Sequence, residues 1–79
     1  MNWKWTTHSF IQMKERKISR ELVEMVLNNP DEIVEGKQNR KIYQKTIGNK
    51  LMRVVTEGDS LITVYFTSKI QKFWKGDIE

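Results

Sequence analysis

The sequence predicts an α+β domain, with two N-terminal helices packed on one face of a mostly antiparallel sheet of about four strands. Three observations predict it. Apolar residues recur at helical spacing up to Pro30 and alternate with polar ones beyond it. Two glycine-led turns, Gly48-Asn49 and Gly58-Asp59, separate runs of strand-forming residues. The chain of 79 residues is also too short to divide its apolar content between two cores, so helices and strands must share one.

Thr6 and Thr7 can cap the first helix, which carries His8, Phe10, Ile11 and Met13 and ends near Lys17. Phe10, Met13 and Lys17 fall on one side of it, His8, Gln12 and Glu15 on the other. Ser19 is a good N-cap for the second helix, and Glu21 suits the positive end of its dipole. Leu22, Met25, Val26 and Asn29 form a stripe at helical spacing, and Leu22, Met25 and Met13 are assigned to the core. Asn28-Asn29-Pro30 stops the helix, because the residue before a proline is held out of the helical region.

Strands follow at 32–37, 40–47, 50–57 and 61–68. The Gly48-Asn49 turn places Ile47 opposite Lys50, and hence Tyr43 opposite Val54 and Gln44 opposite Arg53. A three-residue loop, Gly58-Asp59-Ser60, then matches Met52 to Phe66, Arg53 to Tyr65, Val54 to Val64 and Val55 to Thr63. A slip of one residue would turn Arg53 into the core, so the apolar pattern selects this register. One sheet face is then apolar, with Tyr43, Met52, Val54, Ile62, Val64 and Phe66, and the helices cover it. The other face is left to solvent and presents Arg40, Ile42, Gln44, Arg53, Thr63 and Tyr65. Trp3 and Trp5, alternating around Lys4, suit an N-terminal strand or a flap over a core edge. Phe73 and Trp74 either close the core or wait for a partner.

Composition narrows the chemistry. There is no cysteine and a single histidine, so a disulfide framework, a thiolate metal site and a cysteine nucleophile are excluded, and no metal or other cofactor is expected. No apolar run is long enough for a membrane span, and the start lacks the apolar stretch of a signal peptide, which points to the cytoplasm. Fourteen Lys and Arg against ten Asp and Glu give a net +4, unevenly spread. Residues 36–56 hold Lys37, Arg40, Lys41, Lys45, Lys50 and Arg53 and no acidic residue, whereas residues 19–35 are acidic. The basic block is either a polyanion-binding surface or a solubilising one.

On the uncovered face Arg53 and Arg40 lie with Tyr65, Thr63 and Gln44, a mixture of fixed positive charge, a phenol and hydrogen-bonding groups. Guanidinium groups bind phosphate bidentately and stack on bases. Cleaving RNA without a metal needs a base for the 2′-hydroxyl, a cation for the phosphorane and an acid for the leaving oxygen. Arg53 supplies the cation; Tyr65, His8, and Lys69 or Lys72 are the candidates for acid and base, and Lys41 adds charge to the same block. The plainer reading of the face is ordinary solvent exposure, and of His8 a structural role at a helix start.

Several stretches in order resemble a known family. They are His8, Met13, Arg16 and Ile18-Ser19, then Leu27-Asn28-Asn29-Pro30, Tyr43, Leu51-Met52-Arg53-Val54-Val55, the run from Thr63 to Lys69, and Lys72-Phe73-Trp74. This order is similar to the domain-of-unknown-function family DUF4258. Two positions depart from it: Lys17 stands where Gly is frequent, and Phe73 where Tyr is common. The resemblance implies a link to RelE/ParE-like toxins, which cut mRNA or inhibit gyrase from compact α+β folds beside a small antitoxin. Carried over by position, it marks His8, Arg16, Arg53, Thr63, Tyr65, Thr67 and Lys69. The expectation is a toxin acting as a metal-independent endoribonuclease, with RNA or the ribosome and a cognate antitoxin as partners. The competing expectations are a non-catalytic RNA-binding module, and an interaction protein or homodimer that uses the aromatic ends.

Overall fold

The computed structural model describes residues 3–68, folded as two helices against a five-stranded mixed sheet. In chain order the elements are β1 (Lys4–Trp5), α1 (Thr7–Arg16), α2 (Arg20–Asn28), β2 (Glu32–Glu35), β3 (Arg40–Ile47), β4 (Lys50–Glu57) and β5 (Ser60–Thr67). The sheet runs β1-β5-β4-β3-β2, with β1 parallel to β5 and the other pairs antiparallel. The expected count of about four strands is therefore corrected to five. The fifth is β1, at the place where Trp3 and Trp5 around Lys4 suit an N-terminal strand; Lys4 and Trp5 pair with Ser60 and Leu61.

Both helix starts follow from their caps. Thr6 Oγ1 accepts from the Ser9 N–H at 3.1 Å and donates to the Leu61 carbonyl at 2.7 Å, which ties the head of α1 to β5. Ser19 Oγ accepts from the Leu22 N–H at 3.1 Å and opens α2. Between them Lys17 is left-handed, with φ 56°, and the Ile18 N–H reaches back to the Met13 carbonyl at 2.8 Å. This is a Schellman stop, closed by the core contact of Met13 and Ile18. Glycine would hold that backbone without the Cβ clash, at the cost of more unfolded-state freedom. Lys17→Gly is expected to raise stability by about 0.5–1 kcal/mol, seen in thermal melts as about 3–6 °C.

Within α2, Val23, Val26 and Leu27 face the sheet, and Leu22 packs at the border. Met25, expected in the core, is instead exposed. The inward stripe is Leu22, Val23, Val26 and Leu27, and helical spacing turns Met25 to the outward side. Pro30 and the Lys45 ammonium, 3.0 Å from the Asn29 carbonyl, close the helix. Asp31 then starts the sheet: its Oδ2 accepts from the Thr46 N–H at 2.9 Å and its Oδ1 meets Lys45 at 3.3 Å. That backbone donor first, then the Lys45 hydrogen bond and its charge, hold the Asp31 carboxyl below the ordinary aspartate range against an opposing desolvation.

The Gly48-Asn49 turn and the β3–β4 register agree with the sequence reading, pair by pair. The second hairpin does not turn as expected. Glu57 pairs with Ser60, so the loop is the two residues Gly58-Asp59, not three. The expected pairs of Met52, Arg53, Val54 and Val55 still form, because the register shifts between Val55 and Thr56 and Ile62 is left as the extra residue of a bulge. Leu61 thereby replaces Ile62 in the core, fully buried beside Met52, Val54 and Val64. Trp3 packs edge-on to Tyr43 at 5.5 Å, and Trp5 lies between Phe10, at 5.8 Å, and the Arg20 guanidinium, at 4.7 Å. Among the described residues no helix is long and apolar enough to cross a membrane.

Candidate functional site

On the face away from the helices, one register row crosses four strands: Glu32 on β2, Gln44 on β3, Arg53 on β4 and Tyr65 on β5. Strand alternation puts all four on one face, and pairing sets them side by side. Gln44 Nε2 donates to Glu32 Oε1, Arg53 Nε donates to Gln44 Oε1 at 2.9 Å, and Arg53 Nη1 donates to Tyr65 Oη at 2.6 Å. The Arg53 guanidinium carbon also lies 5.8 Å from the centre of the Tyr65 ring.

The Gln44 amide orientation is fixed by chemistry at both ends. Arg53 Nε–H can only donate and so requires the amide oxygen; a carboxylate can only accept and so requires the NH2. A flip would oppose like to like at both contacts, each worth about 1.5–3 kcal/mol with a charged partner. At the far end the Tyr65 oxygen is the acceptor, so the phenol keeps its own proton for another group.

This face is not the open surface that the sequence suggests. Gln44 and Leu51 are fully buried, and Arg53 is only 7 % exposed, whereas Tyr65 remains partly open. Part of the shielding is the row itself, whose side chains lie along the sheet onto one another instead of standing into solvent. Thr63 and Thr67 flank the row on the same face, in the neighbouring rows with Val55 and Leu51.

The remaining candidates lie elsewhere. Arg40 is on the same face but at the end of β3, 3.7 Å from Glu57. Lys41 falls on the helix side by alternation, as does Lys45, which is held by Asp31. Thus the basic block does not form one surface, and three of its charges already have partners in the protein. His8 and Arg16 sit on α1 at the outer edge of β5. Arg16 Nη1 donates to the Val64 carbonyl at 2.8 Å, and the Val64 N–H donates to Gln12 Oε1 at 3.1 Å. With its oxygen so committed, Gln12 presents its NH2 to His8 Nε2 at 2.8 Å, and His8 accepts. These residues cap the edge of β5 and do not join the row. Trp3 and Trp5 pack against the core and are partly buried. Lys69, Lys72, Phe73 and Trp74 lie outside the described residues.

Sequence reasoning missed Glu32, which read as part of the acidic stretch. Its signal was available: a strand starting there and pairing with the one at Arg40 places Glu32 beside Gln44.

Together these features define a small α+β domain whose sheet face opposite α1 and α2 carries a hydrogen-bonded polar row. Residues 5–66 match the family described as Domain of unknown function (DUF4258), and the chain belongs to that family. No curated protein matches the chain, and no solved structure does.

Proposed function

We propose that the protein is a metal-independent endoribonuclease of the RelE/ParE-like toxin kind, acting on mRNA in the cytoplasm and restrained by a small antitoxin. The observation that carries this reading is the 2.6 Å contact between the Arg53 guanidinium and Tyr65 Oη. It sets a permanent cation beside a phenol whose proton is free to be given away. In the proposed reaction the RNA 2′-oxygen attacks phosphorus and its proton passes to water. Arg53 stabilises the charge that grows on the phosphorane oxygens, and Tyr65 protonates the departing 5′-oxygen. The products are a 2′,3′-cyclic phosphate and a 5′-hydroxyl. Thr63 and Thr67, on either side, supply hydroxyls for the flanking phosphates.

Induced expression is expected to arrest growth, and Tyr65→Phe, which removes only the hydroxyl, to restore it at an equal level of folded protein. Unrelieved arrest by Tyr65→Phe would remove Tyr65 from the mechanism. A second reading, an interaction protein without catalysis, draws on Phe10 and Ile11 of α1, which are 45 % and 51 % exposed. It predicts a self-associating protein whose size in solution falls on Ile11→Lys and whose expression does not arrest growth.

A further inference from the structure

We propose that Glu32 is a positioning residue: it sets the orientation of the Gln44 amide, and through it the plane of the Arg53 guanidinium. Glu32, Gln44 and Arg53 occupy one register row, so the backbone fixes their spacing before any side chain is placed. The amide has a donor at one end and an acceptor at the other, so its orientation decides what it offers each neighbour. Arg53 Nε–H selects the oxygen at one end, but without a second constraint at the other the amide is held through that single contact. The Glu32 carboxylate, accepting from Gln44 Nε2, holds the oxygen on the Arg53 side. Arg53 Nε is anchored in this way, and the other end of the fork, Nη1, is carried to Tyr65. A lysine at 53 would supply the same charge without that fixed plane. Glu32 therefore acts two side chains away from the phenol, through geometry and not through contact.

The consequence for RNA cleavage rests on the function proposed above, whereas the positioning itself does not. The test reads both separately, on the full chain. Solvent exchange of the Arg53 Nε–H, followed in proton–nitrogen NMR spectra and assigned by its loss in Arg53→Lys, reports the Gln44 bond directly. Glu32→Ala is expected to speed that exchange at least tenfold while the other arginine signals stay unchanged, and Glu32→Gln, which still accepts from the amide, to keep it slow. The decisive variant pairs Glu32→Ala with Gln44→Glu. A carboxylate at 44 has an acceptor at each end and needs no orienting, so slow exchange returns. Unchanged exchange in Glu32→Ala, or fast exchange in the folded double variant, would overturn the proposal. In cleavage, Glu32→Ala is expected to lower kcat about tenfold with KM unchanged, and the double variant to recover it. Arg53 exchange that speeds up in Glu32→Ala, in a protein that does not cleave RNA, supports the positioning role and removes only the proposed function.

Discussion

Arg53→Met is expected to abolish RNA cleavage and to weaken the fold at the same time. Loss of one charged donor at a phosphoryl-like transition state costs about 10²–10³ in rate, and methionine leaves no cation in the row. The structural cost comes from Gln44, whose fully buried amide loses its Arg53 donor. An oxygen deprived of its partner costs about 1–3 kcal/mol. Arg53→Lys separates the two effects. It keeps the charge but spans only one of the two contacts, so it is expected to recover stability more than rate. Equal cleavage by wild type and Arg53→Met, measured on protein shown to be folded, would mean that the row is structural.

Leu61→Ala is expected to be among the most damaging substitutions in the core, and Ile62→Ala next to it among the mildest. Leu61 is fully buried against Met52, Val54 and Val64, so truncation costs about 2–5 kcal/mol. A domain of this length has only about 4–12 kcal/mol in total, so Leu61→Ala leaves it close to unfolding near body temperature. Ile62 is the extra residue of the bulge and is partly exposed, and its truncation is expected to cost about 1 kcal/mol or less. Urea unfolding of both variants checks the contrast. A larger loss at Ile62 would mean that the hairpin turns through three residues and the bulge is absent.

These two positions also mark how far the sequence is legible. Periodicity separates helices from strands, and the glycine turns set the pairing of Gln44 with Arg53 and of Arg53 with Tyr65. The bulge is not legible, because Leu61 and Ile62 are both apolar and either fits a core position. A strand at β1 is suggested by Trp3 and Trp5 alternating around Lys4, but its parallel pairing with the distant β5 is not legible. Lys17 hides a left-handed stop behind a residue that does not favour it. The site is half legible. Three members of the row follow from register, but side-chain direction along the sheet does not, and so the burial of Arg53 and the part of Glu32 stay hidden. The basic block misleads for a related reason: a run of like charges on a strand is divided between two faces, as Arg40 and Lys41 are.

The most direct test of the Arg53–Tyr65 centre is cleavage of a defined RNA by the purified chain in the presence of a chelator, with the new ends identified. Fragments ending in 2′,3′-cyclic phosphate and 5′-hydroxyl, produced by wild type and reduced at least a hundredfold in Tyr65→Phe at an unchanged melting temperature, are the predicted result. Intact RNA with wild type, or equal cleavage by Tyr65→Phe, would contradict it.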